Sequence, residues 1–292
     1  MGPRLLLSLL WLLHWLPLSL LAPLGRGVGR LLYRLAGSRR RIAQRNVELC
    51  FPEMAELQRH ALVREHFEWL GRSIVERGVL WFASTERLKR LIRVEGDVTL
   101  AERSDRPVMW LVPHFMGLDV AGAATQLFQK RQVASIYQEQ SDAVMDAAIR
   151  RGRLRFNQGE VFPRSDSAKP LIRAIRKGWA FFNLPDMDFG VRDAAFVPFF
   201  GVPAATLLAP SRMARALDMV VQPVVAEMLP GGQGYCVRFL EPWTHFPSDD
   251  ALADTAAMNR WIEQEIRRNP AQYLWVHKRF KTRPAGAPSL YA

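Results

Sequence analysis

The sequence predicts an α/β fold, a mixed, largely parallel central sheet flanked by helices, preceded by an N-terminal membrane-anchoring helix. Three observations predict it. Residues 5–25 form an apolar run without formal charge. Residues 56–82 repeat apolar positions at spacings near three and four, as an amphipathic helix does. From residue 107 onward, short apolar runs alternate with helical stretches, the pattern of β and α units built around one sheet.

The leading run, LLLSLLWLLHWLPLSLLAPLG, is about long enough to cross a hydrocarbon core. His14 and Pro17 interrupt it, and Trp11 and Trp15 suit an interface, so the run is expected either to span or to lie embedded. A cleaved signal peptide carries its positive end ahead of the apolar run. Here Arg4 alone precedes it, and Arg26, Arg30, Arg34, Arg39, Arg40, Arg41 and Arg45 come after it, with no acidic residue before residue 46. Those arginines supply most of the net charge of +12. Positive charge beside an apolar segment favours anionic lipid headgroups and places the rest of the chain on the cytoplasmic side. Nucleic acid attracts the same charge but leaves the apolar segment unexplained, so it is not expected as a partner.

Residues 25–45 read as a basic linker and residues 56–82 as a helix or helix pair. Strands are expected at 108–112, 132–137, 160–162, 180–184, 220–225 and 235–240. Helices are expected at 120–130, 142–151, 167–177, 210–217 and 249–268. With 292 residues, 49% of them hydrophobic, the chain is long enough for one sizeable core, and the economical division is an anchor, 1–25, and one body, 26–292. Cys50 and Cys236 stand far apart in no CxxC pattern, which suits reduced thiols in a cytoplasmic body.

The segment VMWLVPHFMGLD puts His114 directly after an expected strand and Asp119 five residues later, near the start of the next helix. Ligands of open α/β sheets sit outside the carboxyl ends of strands. A tight turn, eased by Gly117, brings the two side chains together, although that spacing does not stack them on one regular helix. Imidazole titrates near working pH and takes a proton from an alcohol; a carboxylate on its other nitrogen fixes the tautomer. The pair therefore suits activation of a hydroxyl for attack on an acyl thioester.

Further motifs lie along the chain: RNVELCFPE at 45–53, RRGRLRF at 150–156, LPDMDFGVRDAAFVPFFGVPAAT at 184–206 and YLWVHKRFKTRP at 273–284. With PHFMGLD they resemble the lipid A biosynthesis acyltransferases, the late lauroyl/myristoyl transferases within the wider HxxxxD/E acyltransferases. The resemblance implies transfer of an acyl chain from an acyl carrier protein thioester to a hydroxyl of a Kdo-bearing lipid A precursor. It also implies a bacterial inner-membrane location with the acyltransferase domain, 26–292, facing the cytoplasm. His114 is then the general base and Asp119 its orienting partner; many members carry Glu at that position, so the reach differs here. Arg151 and Arg153 match an Arg-Gly-Arg segment that suits phosphate, carboxylate or a developing oxyanion, with Arg164 a further substrate-binding candidate. Asp186 and Asp188 sit where a strand yields to a loop, to orient an arginine or line the acceptor site.

No His or third carboxylate completes a metal set with Asp186 and Asp188 before Asp193, so no metal is expected, and no cofactor. The stretch 196–202 reads as an apolar loop, either acyl-pocket lining or packing. The charged run 277–283 reads as a solvated face open to an acidic carrier or lipid phosphates. There is no GxSxG elbow for a serine esterase and no P-loop or GxGxxG for a nucleotide. The rival readings are an HxxxxD acyltransferase acting on another membrane lipid, such as a glycerophospholipid precursor or a glycolipid, and a basic membrane-tethered scaffold.

Overall fold

A computed structural model describes residues 2–156 and 159–291. The chain opens with four helices: α1 (Gly2–Leu13), α2 (Leu18–Leu35), α3 (Gly37–Cys50) and α4 (Glu56–Phe82). Next come α5 (Thr85–Leu91), β1 (Ile92–Gly96), α6 (Leu100–Arg103), β2 (Val108–Leu111), α7 (Leu118–Leu127), β3 (Val133–Tyr137), α8 (Ala143–Arg153) and β4 (Glu160–Pro163). The second half runs α9 (Lys169–Arg176), β5 (Ala180–Asn183), β6 (Ala194–Phe199), β7 (Val202–Leu207), α10 (Ala209–Ala216), β8 (Val220–Met228), β9 (Tyr235–Phe239) and α11 (Ala251–Arg268).

Seven strands form one mixed sheet in the order β1-β9-β8-β2-β5-β3-β4. Every neighbouring pair is parallel except β8 with β9. β2 is apolar and buried along its whole length, as a central parallel strand covered on both faces must be. Trp110 points into one layer and donates its indole N–H to Gln222 Oε1 of β8 at 3.0 Å; Met109 and Leu111 point into the other. All six expected strands are present. β1 was not foreseen, because an edge strand with charged, exposed positions carries no apolar run. The expected apolar loop at 196–202 belongs to an antiparallel hairpin, β6–β7. Its Val197 and Phe199 are buried, with Phe199 against Tyr273 and Phe280, and no residue from 196 to 202 lines the cavities beside His114 and Asp119.

The N-terminus corrects the expectation of one anchoring helix. Among the described residues no helix is long and apolar enough to cross a membrane. The apolar run is broken between α1 and α2, at His14 and Pro17, and Arg87 donates to the carbonyls of His14 and Leu16 that the break leaves open. The expected boundary between residues 25 and 26 falls inside α2, and the expected linker is helical, shared by α2 and α3. The cause is tertiary. A Cβ on Gly25 would stand 2.6 Å from Arg72 Cα, and one on Gly71 would stand 2.6 Å from Gly29 Cα, so glycines let α2 and α4 touch backbone to backbone. Arg26 and Arg30, one turn apart on α2, both reach Glu68 of α4 at 2.7 Å, so part of the basic cluster braces the helix pair.

Even so, most of the exposed large apolar side chains among the described residues lie between Leu5 and Leu35. Leu5, Leu9, Leu12 and Trp15 are all about half exposed or more. An apolar surface of this kind is uncommon on a soluble monomer.

The charged run at 277–283 is likewise partly internal. Arg279 is buried, donating to Ala205 O at 2.8 Å and to Thr206 Oγ1 at 2.6 Å. The tail is fastened by Asn46, whose amide donates to the carbonyls of Trp275 and His277, both at 2.7 Å. Part of the 45–53 motif is thereby structural.

Candidate active site

β2 and β5 lie side by side in parallel, with Leu111 opposite Asn183. His114 comes three residues after Leu111 and Asp186 three after Asn183, so two adjacent strand ends deliver them to the same place. Asp186 Oδ2 accepts the His114 backbone N–H at 2.9 Å, and its Oδ1 lies 2.6 Å from His114 Nδ1. An ionised carboxylate only accepts, so Nδ1 carries the proton and Nε2 is left with its lone pair. Among the described residues Nε2 has no hydrogen-bond partner.

The loop that carries His114 is pinned by the tail. Met116 N–H donates to Gln272 O at 2.8 Å, Leu274 N–H donates to His114 O at 2.9 Å, and Phe115 bridges Tyr273. Burial alone would raise the Asp186 carboxyl, but the electrostatic attraction of His114, with the hydrogen bonds from its ring and from its backbone N–H, outweighs it and holds Asp186 below the ordinary carboxylate range. Tyr273 is pushed well above the usual phenol value by burial and by the adjacent Asp186 carboxylate, so it stays protonated. His277 is pushed down to about 4 by burial, then by the charge on His114, and its Nε2 accepts the Asp188 N–H at 3.2 Å.

Asp119 does not take the expected place on Nδ1. Its Oδ2 pairs with Arg77 of α4 at 2.8 Å, and its Oδ1 stands 3.9 Å from Arg153 of α8. Burial would raise this carboxyl; Arg77 first, then Arg153, and more weakly His114, hold it below its ordinary value. The tight turn does bring Asp119 close enough to feel the His114 charge, but the ring's Nδ1 is already engaged from the neighbouring strand.

Two spaces meet beside these residues. A cleft of about 500 Å³ is lined by His114 and by Arg153, Arg164 and Arg192. A narrow apolar slot of about 50 Å³ runs between α4, α7 and α8 past Leu80, Leu118, Leu154 and Phe156, with Asp119 on its wall. Arg153, Phe182 and Leu184 line both spaces, so Arg153 stands at their junction.

The other expected residues are scattered around this centre. Arg164 lines the cleft with its guanidinium carbon 3.7 Å from the centre of the Phe189 ring. Arg151 is exposed on α8, outside both spaces, with no ion pair or hydrogen bond among the described residues. Asp188 is structural: its carboxylate accepts from the N–H of Gly190 at 3.0 Å and from the N–H and hydroxyl of Thr282 at 2.7 Å each. Among the described residues no group of three or more His, Cys, Asp or Glu side chains is placed to hold a metal ion.

Sequence reading missed Arg77, Arg192 and Tyr273, and did not pair Asp186 with His114. One signal was available for the last: both residues come after apolar strands, at equal distance from the strand end. Which strands are neighbours is not written locally in the chain.

The sequence model of the bacterial lipid A biosynthesis acyltransferase family matches residues 4–282. The chain is 36% identical over 288 residues to a lipid A biosynthesis lauroyltransferase of Escherichia coli (strain K12), covering 98% of this chain and 93% of that protein. A lipid A biosynthesis palmitoleoyltransferase of the same organism is 34% identical over 288 residues, covering 98% and 92%. A lipid A biosynthesis myristoyltransferase, also from that organism, is 32% identical over 274 residues, covering 91% and 81%.

Proposed function

Because the chain belongs to the bacterial lipid A biosynthesis acyltransferase family and is an acyltransferase, we propose that it moves a fatty acyl chain from an acyl carrier protein thioester to a hydroxyl of a Kdo-bearing lipid A precursor, with His114 as general base. The observation that carries this reading is the two-point hold of Asp186 on His114, which leaves the lone pair of Nε2 free beside the cleft.

The acceptor hydroxyl lies in the cleft and gives its proton to Nε2 as its oxygen attacks the thioester carbonyl. The imidazolium that forms is stabilised by Asp186 directly and by Asp119 at longer range. Negative charge grows on the carbonyl oxygen at the junction of cleft and slot, where Arg153 supplies donors, oriented by Asp119. The carbon–sulfur bond then breaks, the carrier thiolate leaves, and the imidazolium returns the proton to it. The fatty chain enters the apolar slot as the side chains along it part. Arg164 and Arg192 receive anionic groups of the acceptor.

The protein works at the cytoplasmic face of the bacterial inner membrane, held there by the exposed apolar face of α1 and α2. These two helices lie in the interface plane, as amphipathic segments not long and apolar enough to span do.

Two measurements test this. Purified protein supplied with acyl carrier protein thioester and a Kdo-bearing precursor should yield an acceptor heavier by one acyl group. Mass spectrometry of lipid A from cells lacking the gene should show that same chain missing. Acyl transfer to a glycerol phosphate acceptor, with none to the lipid A precursor, would overturn the substrate assignment.

A further inference from the structure

A groove outside both spaces remains unassigned. It has a volume of about 460 Å³. Leu7, Trp11 and Leu12 of α1 form one wall, Trp81 and Phe82 of α4 a second, and Ala148 of α8 a third. Only a thin partition divides it from the apolar slot beside Asp119, because Trp81 and Gly152 line both. Gly152 permits this: a Cβ there would meet the Trp81 ring, so α8 approaches the indole only with glycine at that position.

We infer that this groove seats acyl chains already attached to the acceptor lipid, while the cationic Arg151 at its edge meets an anionic group of that lipid. The inference rests on the proposed reaction and says where its acceptor lies. Three features select this occupant. α1 gives one face to the groove while Leu5 and Leu9 stand exposed beside it, so a lipid passes from a bilayer into the groove without its chains crossing water. Arg151 has no carboxylate partner among the described residues, whereas Arg77 on the far side of the partition is paired with Asp119 at 2.8 Å. The groove also adjoins the slot where the thioester chain reacts, which places acceptor and donor chains side by side. A thioester delivered by a water-soluble carrier has no reason to arrive through a wall made by α1.

The test compares a phosphorylated glycolipid acceptor carrying long acyl chains with the same headgroup carrying six-carbon chains. Ala148→Phe fills the groove from α8 and should lower the ratio of long-chain to short-chain kcat/KM about tenfold, the effect of one or two displaced methylenes. Arg151→Gln, at an exposed position, should raise KM for the phosphorylated acceptor about fivefold and leave the KM for its dephosphorylated form within twofold. Independently of turnover, a diazirine placed on an acceptor acyl chain should label residues 7–12 of the wild-type protein. A long-to-short ratio that holds within twofold in Ala148→Phe, or a rise in the KM for the donor thioester instead, overturns the assignment. So does labelling that avoids α1. Wild-type protein that labels on α1 but transfers nothing would sink the proposed reaction and leave the groove assignment standing.

Discussion

The Asp186 carboxylate holds His114 at two atoms, the backbone N–H at 2.9 Å and Nδ1 at 2.6 Å. A single side chain therefore sets both the position of the loop and the tautomer of the ring. Asp186 is 1% exposed and almost wholly withdrawn from water, so its negative charge acts on the imidazole with little solvent screening.

Asp186→Asn should keep the protein folded and lower kcat by about 10³–10⁴-fold, because an amide no longer enforces the proton on Nδ1 or stabilises the imidazolium. His114→Ala should lose at least as much. Steady-state kinetics with thermal unfolding as a control reads both; wild-type turnover by His114→Ala removes His114 as the base, and wild-type turnover by Asp186→Asn removes Asp186 as its orienting partner.

Arg77→Gln should shift the acid side of the kcat/KM profile to higher pH. In the native site Asp119 is held below its ordinary value, so it stays charged until the pH falls through that lowered value. Without Arg77 the burial penalty is opposed by Arg153 and His114 alone, the carboxyl rises, and activity is lost earlier on acidification. An unchanged acid limb means that the charge on Asp119 does not matter to turnover.

Folding stability should fall between about pH 6.5 and pH 4.5 because of two buried histidines. His66 and His277 are both pushed down to about 4 by burial, against an unfolded value near 6.5. Below 6.5 the unfolded chain binds protons that the native state refuses, so each histidine lowers stability by up to about 1.4 kcal/mol per pH unit until its native value is reached. Urea midpoints from pH 7 to 4.5 should slope downward, and His66→Gln should remove about half of the slope, one group of two.

Gly71→Ala should destabilise the fold by about 1–3 kcal/mol, since the added methyl meets the Gly29 backbone, which has no side chain to move aside. An equivalent change at Gly122, where a Cβ meets nothing within 4 Å, should be far milder. Equal denaturation midpoints for the two variants would mean that the contact between α2 and α4 relaxes freely.

Taken alone, the sequence determined the six strands that carry apolar runs, from 108–112 to 235–240, and the helices between them. Period and burial are local: a strand covered on both faces must be apolar along its length, as β2 is. It also picked out His114 at a strand end and Arg153, Arg164 and Asp186 near it. What it did not contain was who meets whom. Asp119 is five residues from His114 in the chain, yet it pairs with Arg77 from a helix far upstream, while Asp186, 72 residues away, takes Nδ1. Strand order decided that, because the parallel pairing of β2 with β5 sets two loops against each other. Tertiary contact also turned an expected anchor and linker into α1, α2 and α3, since glycines at 25, 29 and 71 give α2 a backbone surface on α4 that hydropathy along the chain does not register.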